Sequence, residues 1–181
     1  MKIVKLCSGE ISRSLMVKCA ELYCDIWKES PWEEYFWTVP DVLRDMEGEF
    51  SKMFANSLFA VDETAEILGF TWGYAVSAEE LQEICGSNEL GYIFDGKERV
   101  FYIDELGVKA CRRISGVGEA LSRGLINWAV DCGLQRILLR TDEKAAAARK
   151  LYGKIGFQEL TVKDEKHPER TYWVLEIAVP L

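Results

Sequence analysis

The sequence predicts an α/β (α+β) fold in which helices flank a central mixed sheet. The stretch 100–118 joins a β-prone run, VFYIDELGV, through a basic loop to apolar residues at helical spacing. Elsewhere along the 181 residues, β-prone runs and helical patterns follow one another without an internal repeat or a low-complexity segment. With 49% hydrophobic residues the chain can bury one core, so we expect a single domain over residues 1–181.

The first half of the chain contains predicted strands and helices in about equal number. In order, they are a strand at 2–6, helices near 14–28 and 40–54, a hairpin within 57–76 and a short helix at 78–85. Two glycines in the second hairpin strand, Gly69 and Gly73, predict a bulge or a close approach of backbones. The segment 86–98 then forms a long polar connection to the central strand.

The second half of the chain predicts the rest of the sheet. Its elements are a strand at 100–108, a helix from about 116, a strand at 136–141, a helix that stops at Gly156, and closing strands near 158–162 and 171–179. Asp142 is the expected N-cap of the second of these helices. We expect that helix to turn Ala148, Leu151 and Tyr152 inward, because they share one apolar face.

Charge and composition exclude several classes of protein. A net charge of −8 and a pI of about 4.9 argue against a nucleic-acid surface, which needs a basic face. The N-terminus lacks the apolar run of a signal peptide, and no stretch is long enough to span a membrane, so we expect a cytoplasmic location. Six scattered cysteines without Cys-x-x-Cys spacing and a single histidine, His167, argue against a zinc site, a histidine triad or a disulfide framework.

The loop after the central strand has the features of a phosphate site. Lys109, Arg112 and Arg113 bring positive charge to it. Gly116 and Gly118 lack side chains, so a pyrophosphate could approach the unpaired N–H groups of the helix N-terminus closely. A tight strand-to-helix turn with solvated arginines is the alternative interpretation.

Two common phosphate loops do not fit this stretch. A Walker loop needs Lys-Ser or Lys-Thr where Glu119 stands, and the dinucleotide fingerprint needs a third glycine where Leu121 stands. The pattern that fits is Arg-x-x-Gly-x-Gly, five residues after the valine that ends the strand. It resembles the acetyl-CoA signature of the GNAT superfamily of N-acetyltransferases. The run Ala-x-x-Leu-Tyr-x-x-x-Gly-Phe at 148–157 resembles a second conserved block of that superfamily.

The resemblance implies the GNAT fold, with a central mixed, mostly antiparallel sheet of six to seven strands and about four flanking helices. It also implies acetyl-CoA as the acetyl donor. The residues expected to bind this cofactor are Leu106, Gly107, Val108, Arg113, Ile114, Ser115, Gly116, Val117 and Gly118. Two positions depart from the family pattern: Ala145 stands where many members have an asparagine that contacts the cofactor, and Ala110 replaces a common proline after the strand. The first departure implies a weaker or differently held cofactor arm.

Acyl transfer from a thioester to an amine needs a neutral amine, a stabilised oxyanion and a protonated thiol. Because a lysine-like amine has a pKa of about 10.4, a carboxylate or an ordered water must take its proton. Asp104 and Glu105 lie just before the signature and on opposite faces of the predicted strand. The resemblance favours Asp104 slightly as the base, because similar members often have an acidic residue that faces the acceptor four positions before the valine. Glu105 or a water is the alternative base. Tyr152 is the expected acid, with an ordinary core tyrosine as the alternative.

The aromatic and acidic stretch SPWEEYFWTVP is the candidate acceptor pocket. Aromatic faces and carboxylates suit an ammonium group, so we expect a small cationic amine to contact Trp32, Glu33, Glu34, Tyr35 and Trp72. The alternative is that these rings pack one helix onto the next. Acetylation of a protein or peptide is a second candidate function, and a non-catalytic CoA-binding module is a third. The sequence leaves the assembly open, including a homodimer.

Overall fold

A seven-stranded sheet runs through the protein in the order β1-β2-β3-β4-β5-β7-β6. The computed structural model describes residues 1–6, 13–86, 89–113 and 115–177. The strands are β1 (Lys2–Leu6), β2 (Asn56–Val61), β3 (Ile67–Val76), β4 (Val100–Val108), β5 (Arg136–Asp142), β6 (Gln158–Lys163) and β7 (Arg170–Glu176). Neighbouring strands are antiparallel except β4 and β5, which run parallel. The mixed, mostly antiparallel sheet predicted above is therefore confirmed.

Helices cover both faces of this sheet. Over the described ranges they are α1 (Arg13–Trp27), α2 (Val39–Phe50), α3 (Ala78–Cys85), α4 (Val117–Asp131) and α5 (Ala146–Ile155). On one face, Tyr23 of α1 and Met46 of α2 share a core with Phe70 and Trp72 of β3. On the other face, α4 and α5 form a second core with β2, β4 and β5. Because both of their faces are covered, β2 and β3 are buried along their whole length.

A β-bulge interrupts the pairing of β3 with β4. Trp72 pairs with Glu105, but the next rung joins Gly73 to Ile103, so Asp104 has no partner on β3. The expected close approach occurs at Gly73, where a Cβ would lie 2.4 Å from a carbonyl oxygen of β4. Any other residue at this position would force the two strands apart.

The bulge changes where the two carboxylates of β4 point. Asp104 accepts a hydrogen bond from the Tyr74 hydroxyl at 2.8 Å, and Glu105 accepts one from the Tyr23 hydroxyl at 3.0 Å. Both tyrosines lie on the face of the sheet that α1 and α2 cover. The expectation of opposite faces is wrong, because an extra residue in a strand breaks the alternation of side chains.

Strands β4 and β5 diverge towards their C-terminal ends. The first pair joins Phe101 of β4 to Ile137 of β5, and the last pair joins Ile103 to Leu139. No described residue beyond Leu139 pairs with this side of β4. The backbone of β4 from Asp104 onward therefore faces an opening between the strands instead of a neighbouring strand. This opening positions the candidate site.

Several predicted element boundaries differ from the structure. The second helix ends at Phe50, with Ser51 as its C-cap, and not near residue 54. Asp142 is not a helix N-cap: it ends β5, and its carboxylate accepts the N–H of Lys144 in a turn before α5. The predicted stop at Gly156 is confirmed, with φ of 113° at the C-cap.

The helices of the described ranges do not combine the length and apolar character that crossing a membrane requires. The cytoplasmic location stays a prediction.

Candidate active site

A cavity of about 610 Å³ opens where β4 and β5 separate. Its walls come from the end of α1 and the turn after it, the second half of β4 and the loop before α4. The end of β5, the start of α5 and Arg170 complete them. The residue types differ along β4, with carboxylates at its middle and the basic loop at its C-terminal end. Asp104 and Val108 are four positions apart, which separates them by about 13 Å along a strand.

The loop before α4 forms the basic part of this cavity. Arg112, Arg113, Gly116 and Gly118 line it. Gly116 is the N-cap of α4 with φ of 85°, a conformation that glycine adopts without strain, and a Cβ there would meet nothing within 4 Å. The first turn of α4 has no side-chain cap, so its N–H groups are available to an anion.

The expected cofactor residues divide into lining and supporting groups. Besides the loop residues just named, Leu106 and Val108 line the cavity. Gly107 lies in the sheet, where a Cβ would come within 2.4 Å of the Phe70 ring, and Val117 belongs to the core. Ser115 does not line the cavity. Ser115 donates a hydrogen bond to a loop carbonyl, and Ile114 lies outside the described residues.

Basic side chains on the opposite wall were missed at the sequence level. Lys144 precedes α5, and Lys150 and Lys154 lie one helical turn apart on it; all three line the cavity. Ala145, at the position where many family members have asparagine, lines it as well. The spacing of Lys150 and Lys154 is a signal that sequence reasoning could have used, because it places both on one face of the helix.

Glu105 and Asp104 form the acidic part of the cavity. Burial, and then the neighbouring negative charge of Asp104, raise the pKa of Glu105 well above its usual range. The Tyr23 hydrogen bond and the charges of Arg140 and Arg170 oppose this rise. Glu105 is therefore a carboxylate that can accept a proton closer to neutral pH than an exposed glutamate can.

Glu49 of α2 is a third carboxyl group in contact with this pair. Its pKa is raised by burial and then by the charge of Asp104, so it holds its proton and hydrogen-bonds to Asp104. It also accepts a hydrogen bond from the Trp72 indole, whose Nε1 donates at 2.7 Å. The sequence carried a signal for this contact, because Glu49 follows Val42 and Met46 on the buried face of α2.

Tyr152 of α5 reaches the cavity from the core. It is 6% exposed, and its ring packs against Phe157 and Trp173 with centroids 5.9 and 6.2 Å away. Burial, and then the charge of Glu105, raise its pKa above that of a free tyrosine. The phenol therefore keeps its proton at neutral pH and can donate it.

Two arginines complete the wall beside the carboxylates. Arg140 of β5 contacts the buried Asp164 at 2.7 Å, and Asp164 also accepts the Tyr172 hydroxyl at 2.7 Å. Arg170 contacts Glu34 at 3.1 Å. Sequence reasoning missed both arginines, although a charged residue inside the buried run RILLRT was a signal at Arg140.

The predicted acceptor residues are spread over three environments. Trp32 lines the cavity, stacked on Trp27. Glu34 lies behind it, bound to Arg170 and to the Trp37 indole. The other three do not line the cavity: Glu33 and Tyr35 are exposed outside it, and Trp72 is buried under α1 and α2. Trp72 does not share the cavity with Trp32, because Tyr23 of α1 and Phe50 of α2 pack against its ring in the core.

The comparisons with known proteins assign this fold to the GNAT family. Residues 20–157 match the acetyltransferase (GNAT) family, and the chain belongs to that family. A segment of 104 residues is 33% identical to the mycothiol acetyltransferase of Salinispora tropica, which is 57% of this chain but only 29% of that relative's length.

Solved structures support the same fold. An Arabidopsis thaliana NAA60 in complex with acetyl-CoA has a TM-score of 0.68 at 18% identity, covering 97% of this chain and 99% of the other. An aminoglycoside 6'-acetyltransferase type Ii has a TM-score of 0.69 at 17% identity and covers 100% of both chains. The family match over residues 20–157 confirms the resemblance carried by the two sequence blocks, and the NAA60 structure contains acetyl-CoA.

Proposed function

We propose that this protein transfers the acetyl group of acetyl-CoA to a primary amine, and that the acceptor is a small cationic molecule. The observation that carries the proposal is the cavity itself. It joins a basic loop at an uncapped helix N-terminus to two carboxylates and a buried phenol, within one opening between β4 and β5.

The donor would lie along the second half of β4. Arg112 and Arg113, together with the N–H groups at the start of α4, offer charge-assisted hydrogen bonds to a pyrophosphate. Between Asp104 and Val108 no described strand pairs with the side of β4 that faces the opening. Apart from the Val108 carbonyl, which accepts the Arg113 Nε, the peptide groups on this side could pair with the amides of the pantetheine arm. These contacts would bring the thioester next to the carboxylates.

The chemistry requires the acceptor nitrogen to lose two protons and the departing sulfur to gain one. In this proposal a carboxylate takes a proton from the acceptor ammonium, and the neutral nitrogen attacks the thioester carbonyl. The new C–N bond forms and the C–S bond breaks, and Tyr152 supplies a proton to the departing sulfur. The nitrogen loses a second proton as the amide forms, and water relays this proton to the phenolate of Tyr152, while the carboxylate releases the first proton to solvent. The ammonium therefore loses two protons in all: the balance leaves one on the CoA thiol and one in the solvent.

The environment of the two carboxylates favours Glu105 as the base, in contrast to the slight preference for Asp104 drawn from the sequence. Asp104 already accepts hydrogen bonds from Tyr74 and from protonated Glu49, so its oxygens have partners within the protein. Glu105 accepts from Tyr23 and has a raised pKa, so it binds a proton more readily.

The charge balance beside the carboxylates supports a cationic acceptor. Arg140 is paired with Asp164 and Arg170 with Glu34, so these four charges cancel. Asp104 and Glu105 are then left with an excess of negative charge, which favours an ammonium group over a neutral or anionic acceptor. Trp32 also lines the cavity, but its ring already stacks on Trp27 and has the Arg170 guanidinium over it, so the carboxylates, and not this ring, favour a cation.

Calorimetric titration with acetyl-CoA is the first test, because it needs no assumption about the acceptor. Binding in the micromolar range would support the donor site, and its absence in a folded sample would favour a merely structural loop. A second experiment compares a diamine with a peptide that has a free N-terminus, both at the same concentration of amine groups. Mass spectrometry measures the acetylated product. Faster acetylation of the peptide would favour the protein acceptor, and binding without any product would favour the CoA-binding module.

A further inference from the structure

The basic part of the cavity already holds a carboxylate of the protein itself. Glu29, in the turn after α1, places Oε2 2.6 Å from a terminal guanidinium nitrogen of Arg113. Both side chains line the cavity. The Nε of Arg113 donates to the carbonyl oxygen of Val108 at 3.2 Å, so the guanidinium is held from two sides. The carboxylate therefore occupies a position at which an anion would bind Arg113.

Glu29 projects from an ordered turn. Its carbonyl oxygen accepts the N–H groups of Trp32 at 3.0 Å and of Glu33 at 3.1 Å. The N–H of Glu34 donates to the carbonyl of Trp27 at 2.8 Å, and the rings of Trp27 and Trp32 stack. Because the backbone on both sides of Glu29 is fixed in this way, the placement of its carboxylate against Arg113 is a built property of the turn.

We propose that Glu29 is an internal competitor of the cofactor: it neutralises Arg113 in the free protein and leaves it when the pyrophosphate binds. The inference rests on the proposed cofactor loop. A pyrophosphate repels the carboxylate and offers stronger charge-assisted hydrogen bonds to the same donors. The side chains of Arg113 and Glu29 are 40% and 37% exposed, and such a pair contributes up to about fivefold to an equilibrium constant. The competition lowers cofactor affinity without abolishing it.

The position of Glu29 also links the two substrates. The same turn carries Trp32 on the cavity wall, and Glu34 fastens the far end of the turn to Arg170. When the pyrophosphate displaces Glu29, an unpaired negative charge appears on the wall next to Trp32. That charge attracts a cationic acceptor, and by thermodynamic reciprocity the acceptor then favours the cofactor-bound state. Cofactor binding therefore prepares the cavity for the acceptor.

The test compares Glu29→Gln with Glu21→Gln, an exposed glutamate of α1 whose loss removes the same charge outside the cavity. Calorimetry at one ionic strength gives Kd for acetyl-CoA and for S-acetylpantetheine, which lacks the pyrophosphate. We expect Glu29→Gln to lower Kd for acetyl-CoA about three- to fivefold, and to leave Kd for S-acetylpantetheine unchanged. Glu21→Gln should stay within about twofold of the parent protein for both ligands.

Arg113→Gln, alone and combined with Glu29→Gln, separates this inference from the loop assignment. Weaker acetyl-CoA binding by Arg113→Gln, with no effect of Glu29→Gln in that background, supports the competition. If Arg113→Gln weakens binding but Glu29→Gln alone does not tighten it, the loop assignment stands and the competition is wrong. If Arg113→Gln has no effect, both are wrong. Equal tightening of S-acetylpantetheine would also overturn the competition.

Discussion

The hydroxyl of Tyr23 in α1 donates a hydrogen bond to the carboxylate of Glu105 in β4, 3.0 Å away and 82 positions later in the chain. The contact joins the N-terminal helix to the point where the sheet opens. It also stabilises the ionised form of Glu105 against the burial and the charge of Asp104, which both favour the protonated form. One phenol thus influences the protonation of the residue that we propose as the base.

Replacement of Glu105 by glutamine should remove the base while keeping the shape of the side chain. We expect kcat to fall by about 100- to 10,000-fold, the usual contribution of a general base. Because the base must be ionised, the parent activity should fall as the pH drops through the raised pKa of Glu105, and Glu105→Gln should lose this acidic limb. A pH–rate profile measures both effects.

Two variants act as controls for that profile. Asp104→Asn should keep the acidic limb of the profile. If Asp104→Asn loses this limb and Glu105→Gln keeps it, Asp104 is the base. Tyr23→Phe removes a hydrogen bond that lowers the pKa of Glu105. Its limb should therefore move to higher pH, and a shift to lower pH would contradict the assignment.

Tyr152→Phe should reduce turnover and leave acetyl-CoA binding nearly intact. The phenol is the proposed proton donor to the sulfur, and loss of a general acid costs about 100- to 10,000-fold in kcat. The ring still packs against Phe157 and Trp173, so the fold should hold. Steady-state kinetics and calorimetry on the same sample check both parts, and unchanged turnover would return Tyr152 to the role of a core residue.

Gly116→Leu and Gly133→Leu form a matched pair for the cofactor loop. Both glycines have positive φ, 85° and 77°, and a Cβ added at either would meet nothing within 4 Å. Each substitution should therefore cost a similar amount in backbone strain, about 1–2 kcal/mol. We expect only the first to raise Kd for acetyl-CoA by more than about tenfold, because its side chain would enter the space proposed for the pyrophosphate. Equal affinities in the two folded variants would contradict the loop assignment.

Asp164→Asn should destabilise the fold by about 3 kcal/mol, because it leaves Arg140 without its buried counter-charge. Burial raises the pKa of Asp164, but hydrogen bonds from Tyr172 and Arg140 outweigh it, and the net pKa lies below the usual range. The stabilisation is therefore complete above the unfolded pKa of about 3.9 and is lost as pH falls through the lower folded value. Urea unfolding at several pH values should show the two proteins converging in acid.

Asp95→Asn provides the comparison for this measurement. Asp95 pairs with another arginine of β5, Arg136, at 3.3 Å, but its side chain is 74% exposed. Its replacement should change the free energy of unfolding by less than about 1 kcal/mol. An equal loss in both variants would mean that burial does not distinguish these two pairs.

The fold could be predicted because its signals are local. Apolar periodicity marked the strands and helices, and glycine marked the stop of α5 at Gly156 and the close approach at Gly73. The bulge at Asp104 could not be predicted, because it depends on which residue of β3 pairs with each residue of β4. The start of α5 was misplaced because Asp142 can cap a turn as well as a helix.

More of the residues expected to bind the cofactor line the cavity than of those expected to bind the acceptor. Arg113 and Gly116 belong to one continuous motif, whereas the residues around Glu105 come from several separate elements. Tyr23 and Glu49 reach it from helices far away in the sequence, and Arg140 is held there by Asp164 from beyond β6. No local pattern records such pairings.

The strand order also determines how the protein can be made. β7 lies between β5 and β6 although the ribosome produces it after both of them. A nascent chain that ends before Arg170 has no partner for the outer edge of β5, and unpaired edges of this kind invite association between chains. The sheet is therefore complete only once β7 has inserted between β5 and β6.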